Sequence, residues 1–259
     1  MPLFKNISKD SLQIILQYLP SNSLLVISQL NKYYNYCIKN ITWEPLLFRL
    51  VDSKIFRIFN CSDSILQSSS ELTYKYFKAS CKYNNYSICK RLLQKDNFNP
   101  GNLNNYAIRY AVEKNYLRIV KLLLVDSRVN PSDFNNYPIR HASEKGYLEI
   151  VKLLLADSRV DPSDYNNYAI RWAVINGHLE IVKLLLQDSQ VDPSSKYNHA
   201  IRMASNYDFL EIVKLLLQDN RVDPSDFNNY AIKAAIENEN LKIIELLLQD
   251  SRVCYVKKK

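Results

Sequence analysis

A 31-residue unit recurs down most of this 259-residue chain. The cleanest pair is PSDFNNYPIRHASEKGYLEIVKLLLADSRVD from Pro131 and PSDYNNYAIRWAVINGHLEIVKLLLQDSQVD from Pro162. Equivalent prolines stand at Pro100, Pro193 and Pro224. A constant period without insertions specifies a stack of small modules around one elongated core, with no internal cleft. Such a chain offers a surface for contacts and is not read as an enzyme. Only three glycines occur, and neither GxGxxG nor a P-loop pattern is present. No cluster joins a nucleophile, a base and an orienting group, so no catalytic, cofactor-binding or metal-binding residue is assigned and no small-molecule substrate is expected.

Within the unit 162–192, Tyr168, Ala169, Ile170, Trp172 and Ala173 open a first helix, with Ile170 and Ala173 on one face. Gly177 ends it in a left-handed conformation. His178 to Leu186 form a second helix whose Leu179, Val182 and Leu186 make a stripe broadened by Ile181, Leu184 and Leu185. That apolar arc is too wide for a lone surface helix, so the helix is expected between neighbours. Pro193 then stops the helix and biases Asp192 toward an extended conformation. Each module reads as helix, tight turn, helix, extended turn. At the glycine position Asn115, Asp208 and Glu239 also occur; Asn and Asp take a left-handed conformation at modest cost, Glu239 less comfortably.

These residues resemble ankyrin repeats, and the resemblance implies an all-α solenoid of stacked helix-turn-helix units. YAIRWAVINGHLEIVKLLL follows that family's small apolar-led helix, glycine and leucine-rich helix. The period is 31 where the family has about 33, and the shortfall falls at the extended tip. The family's threonine becomes Tyr106, Tyr137, Tyr168, His199 and Tyr230; its histidine becomes Arg109, Arg140, Arg171, Arg202 and Lys233. This tyrosine- and asparagine-rich version resembles ankyrin proteins of giant amoebal viruses and of some protists. Five units match, 100–130, 131–161, 162–192, 193–223 and 224–254, with a degenerate one at 69–99. In that end unit Phe77 aligns with Ile139, Ser80 with Ala142 and Leu92–Leu93 with Leu154–Leu155; Tyr76, Lys78, Lys82, Lys90 and Arg91 are read as residues of an unstacked end.

The resemblance places protein partners on a concave face made by first helices and tips. The pairs before the glycine are Glu113–Lys114, Glu144–Lys145, Ile175–Asn176, Asn206–Tyr207 and Glu237–Asn238, all expected exposed. The tips carry Leu103, Phe134, Tyr165, Lys196 and Phe227. One first-helix position runs Tyr110, His141, Trp172, Met203, Ala234 while its neighbours stay fixed. Fixed positions serve stacking; variable ones are open to recognition. Trp172, Ile175 and Tyr207 form the preferred hot spot, Trp172 having inter-repeat core as its alternative reading. The arginine ladder either reads acidic partners or pairs with Asp126, Asp157, Asp188 and Asp219 or caps backbone groups. His141, His178 and His199 are read as structural.

Residues 1–50 leave the repeat, 51–68 link, and 255–259 form a basic tail. Leu12, Ile15, Leu16 and Leu19 give one short helix a face; Leu24, Ile27, Leu30 and Tyr34 give a second another. ISKDSLQIILQYLPSNSLLVISQLNKYYNYCIKNITWEPLLFRL resembles an F-box, with Ile7–Ser8 where that family has Leu-Pro. That resemblance implies a substrate-recruiting adaptor of an SCF-type ubiquitin ligase, with Ile7, Leu12, Ile15, Leu16, Leu19, Leu24 and Leu25 as adaptor contacts or core of a small helical domain. A plain helical cap on an ankyrin scaffold is the alternative. Residues 1–99 carry 13 Lys/Arg against 6 Asp/Glu, while residues 100–256 carry 18 against 20. Nucleic-acid or acidic-membrane binding through the basic third is a further alternative; the balanced repeats offer little to a phosphate backbone. Five scattered cysteines, no secretory signal pattern and no 18-residue apolar run lead to an expectation of a location in the cytoplasm or nucleus, or in the host cytoplasm if viral.

Overall fold

The computed structural model describes residues 70–253 apart from residue 97. The expectations for residues 1–50, the linker and the basic tail, with all seven adaptor-contact residues, lie outside the described residues. The chain divides into two compact units, residues 1–102 and 103–259. Twelve helices and no strand occur among the described residues.

In the first unit, α1 (Ser70–Lys82) and α2 (Tyr86–Leu93) form a hairpin. Asn84 turns it at φ 54°, the register of the glycine elsewhere. Phe77, Ser80, Cys81, Cys89 and Leu92 are buried, and Phe98 meets Phe77 edge to face at 5.0 Å. Tyr76 corrects the sequence reading: it is buried in this hairpin, not left on an unstacked end. Its phenol supplies large apolar area that a lysine would not. Lys78, Lys82 and Lys90 are exposed and Arg91 is half-buried. The structure also joins two of the scattered cysteines: the Cys81 and Cys89 thiols lie 3.7 Å apart. The Cys89 contact and burial hold Cys81 well above the ordinary thiol value.

The second unit stacks five helix pairs: α3 (Asn102–Glu113) with α4 (Leu117–Leu124), α5 (Asp133–Lys145) with α6 (Leu148–Leu155), α7 (Asp164–Ile175) with α8 (Leu179–Leu186), α9 (Ser195–Asn206) with α10 (Leu210–Leu217), and α11 (Asp226–Glu237) with α12 (Leu241–Leu248). From α5 onward, first helices pack on the next first helix, and second helices pack likewise along the whole row. Ile139, Ile170, Ile201 and Ile232 are fully buried, as are Leu154, Leu185 and Leu216. Each such side chain removed from water is worth roughly 1.5–3 kcal/mol. Burial on both flanks explains the wide apolar arc of the second helices.

Gly146 and Gly177 take φ 78° and 71° between the helices, and Asn115, Asp208 and Glu239 take φ 56–60° there. Each turn then makes a three-residue loop, as when the Leu179 N–H donates to Gly177 O at 2.9 Å. Two glycines have a second reason to be glycine. A methyl at Gly146 would stand 2.7 Å from Cε1 of His178, and one at Gly177 would stand 2.9 Å from Cζ of Phe209. The ring after each turn thus sits over the preceding repeat's glycine.

Gly146→Ala is expected to cost about 2 kcal/mol or more, from positive φ plus displacement of the His178 ring. Glu239→Gly, with the same backbone and no glycine there now, is expected to stabilise by about 0.5–1 kcal/mol. Urea unfolding of both variants checks the pair; equal effects would contradict the backbone argument.

Candidate partner-binding surface

The tips between repeats overturn the expected extended conformation. In each of the five repeats from 100 to 254 three consecutive residues are left-handed: 103–105, 134–136, 165–167, 196–198 and 227–229, at φ between 51° and 62°. The right-handed first helix begins just after them. This conformation disfavours most L-residues by roughly 1–2 kcal/mol each, and least asparagine. That accounts for the Asn-Asn following each tip residue, with Tyr197 the one departure at the first of the two positions. It also accounts for Pro138, which falls in the first right-handed turn, where a helix has no use for its missing N–H.

Two sets of side chains offset the cost. Arg109, Arg140, Arg171 and Arg202 each fold back on their own tip; Arg140 Nε donates to Asn135 O at 2.6 Å and Nη2 to Phe134 O at 3.0 Å. Arg171 does the same to Asn166 O and Tyr165 O at 2.9 and 3.4 Å. Of the alternatives open in the sequence, the ladder therefore caps backbone carbonyls and does not pair with the repeating aspartates. The last left-handed residue is an asparagine whose amide links consecutive repeats. Asn136 Oδ1 accepts from the Asp161 N–H at 2.9 Å, and its Nδ2 donates to Asp164 at 3.0 Å. Asn105 and Asn198 repeat both bonds; Asn167 keeps the backbone bond from Asp192 at 2.8 Å, where Ser195 replaces the aspartate. Asn105, Asn136, Asn167 and Asn198 are buried.

The aspartates pair with other arginines. Asp126, Asp157, Asp219 and Asp250 each hold the arginine two residues on, and these bonds keep their carboxyls below the ordinary value. Arg159, Arg221 and Arg252 reach the preceding repeat as well, donating to Val129 O, Val191 O and Val222 O at 2.7–2.8 Å. Gln190 interrupts this second ladder, and Asp188 keeps only the Gln190 backbone N–H at 2.9 Å.

Around these ladders the tip residues Leu103, Phe134, Tyr165 and Phe227 stand exposed, as does Lys196. Guanidinium groups cover the next repeat's tip ring: Arg109 over Phe134 and Arg140 over Tyr165 at 4.9 Å, Arg202 over Phe227 at 4.4 Å. Along the first helices aromatic pairs stack four residues apart: Tyr106–Tyr110, Tyr137–His141 and Tyr168–Trp172, with centroids at 5.3–5.5 Å. Trp172 is thus half-buried against its own helix, neither inter-repeat core nor fully open. Tyr168 also donates to Glu144 of the preceding repeat at 2.9 Å. Burial and that carboxylate push the Tyr168 phenol up to about 12. Burial pushes the Glu144 carboxyl up, but the bonds from Lys145 and Tyr168 outweigh it and hold it below the ordinary value.

The expectation that every residue before the turn is exposed needs correction. Lys145, Asn176 and Tyr207 are exposed, but Glu144, Ile175 and Asn206 are half-buried, Glu144 and Asn206 being bonded to Tyr168 and Asn238 of the next repeat. Asn176 donates to Trp172 O at 2.8 Å, and Asn206 accepts from Asn238 at 3.2 Å. His178 Nε2 lies 3.1 Å from Glu144 O, joining two repeats. His141 contacts Tyr137, and burial lowers its imidazole. His199 takes the tyrosine position with a buried Nδ1 that no hydrogen-bond partner meets; burial, then Arg171 and Arg202, bring it down to about 4. Among the described residues no group of three or more His, Cys, Asp or Glu could hold a metal, and no helix is long and apolar enough to cross a membrane.

A stack of helix pairs tied by side chains that repeat with the period, with much of its variation at first-helix and tip positions, is a scaffold for protein contacts. The family model described as ankyrin repeats (3 copies) matches residues 110–197 and 170–258, together more than half of the chain. The chain belongs to the ankyrin-repeat family. The fold is similar to that of the ankyrin-repeat protein EF0377, at TM-score 0.59 and 23% identity, covering 67% of this chain and 96% of that one. An ankyrin repeat domain from Acinetobacter baumannii AYE aligns at TM-score 0.43 and 19% identity, over 80% of this chain and 97% of that one. No curated protein matches the chain.

Asn136→Ala is expected to cost about 2–4 kcal/mol, since it strands the Asp161 N–H and puts alanine at positive φ. Asn136→Gly, which keeps the backbone at ease, is expected to recover about 1 kcal/mol of that. Gln190→Arg is expected to stabilise by about 0.5–1.5 kcal/mol through Asp188 and Val160 O. Because the paired aspartates are lowered, their contribution is present above an unfolded carboxyl value of about 4 and fades as pH falls below it. The gain from Gln190→Arg is therefore expected at pH 7 and reduced at pH 3, as read by thermal melting.

Proposed function

We propose that the repeats recognise a protein partner through their first helices and tips, with Trp172, Ile175 and Tyr207 at the centre and Asn176, Asn206, Glu144, Lys145, Tyr165 and Phe134 around them. One observation carries this reading. The stacking positions Ile139, Ile170, Ile201 and Ile232, and Leu154, Leu185 and Leu216, do not vary, whereas the half-buried first-helix position runs Tyr110, His141, Trp172, Met203 and ends in buried Ala234. Stacking alone leaves no reason for that variation. Tyr165 and Tyr207, 54% and 49% exposed, supply the kind of aromatic area on which interfaces concentrate their binding energy.

The F-box resemblance of residues 1–50 supports a second step, in which the N-terminal segment engages the adaptor subunit of an SCF-type ubiquitin ligase and the repeats choose the protein to be modified. Ile7, Leu12, Ile15, Leu16, Leu19, Leu24 and Leu25 would make that contact. The reading rests on their spacing in the sequence.

Partners gathered by proximity labelling in the native cell and then purified test the first step. Tyr207→Ala, at an exposed position, is expected to weaken direct binding about tenfold or more with little change in melting temperature. Binding indifferent to both Tyr207→Ala and Trp172→Ala would remove this face from the reading. For the second step, purified adaptor subunit is expected to retain the full chain and to lose Leu19→Asp; failure to bind the unaltered chain would reduce it to a scaffold.

A further inference from the structure

Departures from the repeat converge on one junction, between 162–192 and 193–223. At the other three junctions of the five full repeats an arginine lies under the next repeat's tip ring. At the first two of them the next tyrosine also follows an acidic residue, and Tyr168 donates to Glu144, whereas Tyr230 follows Asn206. At this junction both partners are replaced. Lys196 stands where Arg171 would find a ring, and Ile175 stands where His199 would find a carboxylate. Ser195 replaces the aspartate found at Asp133, Asp164 and Asp226, and its hydroxyl donates to Asn166 O at 3.1 Å.

The outcome is local and electrostatic. Arg171 keeps its bonds to the tip carbonyls and only its own Tyr168 ring, at 6.0 Å. Burial lowers its guanidinium, so the charge is held at a cost. His199 Nδ1 is buried and unpartnered. Lys196 is exposed. In the 193–223 repeat the six first-helix and tip positions Ser195, Lys196, His199, Arg202, Asn206 and Tyr207 hold two cations, exposed Lys196 and buried Arg202, and no carboxylate. The same six positions hold at least one carboxylate in every other full repeat. Exposed Tyr165, Tyr197 and Tyr207 border the change.

We propose that this junction binds an acidic peptide segment of the protein partner, with Asp or Glu carboxylates taking up Arg171, Lys196 and His199. The site is complementary in charge to such a segment and supplies aromatic rings for the side chains beside it. The inference rests on the partner-binding reading of the first-helix face and names the chemistry that face selects.

The test restores the repeat's own rule. Ile175→Glu, Ser195→Asp and Lys196→Phe each install the residue other repeats carry, so the triple variant keeps a fold those repeats already use. The probe is a fluorophore-labelled hexaglutamate peptide, followed by anisotropy with the full chain. The unaltered chain is expected to bind it at low ionic strength, to release it as salt rises, and to bind about tenfold more tightly than the triple variant. No binding by the unaltered chain, or equal binding by the triple variant while its circular-dichroism melt is intact, overturns the proposal. Tighter binding of a labelled oligothymidylate that the triple variant loses also overturns it, in favour of nucleic acid. A native partner that depends on Tyr207 but not on Ile175, Ser195 or Lys196 sinks only this inference; one indifferent to Trp172 and Tyr207 sinks the broader reading.

Discussion

The stack depends on an asparagine held in a left-handed backbone at each tip and buried at the first four. A 31-residue period brings each chain reversal back in fewer residues than an extended hairpin needs, and three residues of opposite hand make that reversal. Their carbonyls accept from the arginine of the same repeat in four of the five, which favours arginine at that position. Their last side chain points at the next repeat, which fixes the asparagine. Backbone geometry inside one repeat and registry between repeats are thus one interaction. Apolar burial supplies more free energy, but it is indifferent to small slips along the helix axes. The amide, accepting at one oxygen from a backbone N–H 25 residues on, is not.

Much of this was legible in the residues. Helix pairing, the buried isoleucines and leucines, and the left-handed turns at Gly146, Gly177, Asn115, Asp208 and Glu239 follow from spacing and side-chain size. The tips were less legible, because Pro, Ser, Asp and Asn together read only as a turn and do not state its hand. A signal was present all the same. Asn105, Asn136, Asn167, Asn198 and Asn229 never vary, while the residue before them becomes Tyr197 once. Solvated turn residues would drift; a residue tied to its neighbour would not. The pairing of Asp126, Asp157, Asp219 and Asp250 was missed for a related reason. Their partners lie two residues away in the sequence, and attention to ladders across repeats passes over a bond within one loop.

The candidate surface was legible as a set of positions and not as an environment. Spacing located Ile175, Asn206 and Glu144 before the turn, yet it could not reveal that all three are half-buried or that Glu144 and Asn206 bond to the following repeat. Trp172 illustrates the limit. Its neighbour at the stacking distance is Tyr168 on the same helix, a contact internal to one repeat. Tyr76 illustrates the reverse: its place in an end unit argues for an open surface, yet the large ring is buried.

An array of near-identical modules can carry specificity only where the modules differ, and most differences are forbidden by the ladders. A change at the third left-handed residue or at the capping arginine loosens two repeats at once. What remains free is the outward first-helix position, the residue before the turn and the tip. At one junction the changes come as a set: His199 replaces the tyrosine where Ile175 replaces the carboxylate, although Tyr230 stays tyrosine in register with Asn206, and Arg171, with Lys196 in place of the next tip ring, keeps only its own Tyr168 ring. Replacing both sides of such a pair leaves the stack intact and turns a satisfied contact into an unsatisfied one. The unmatched charge and the unpartnered imidazole nitrogen at the 162–192 and 193–223 junction are what that process leaves behind, and their burial makes them costly to keep unless something else meets them.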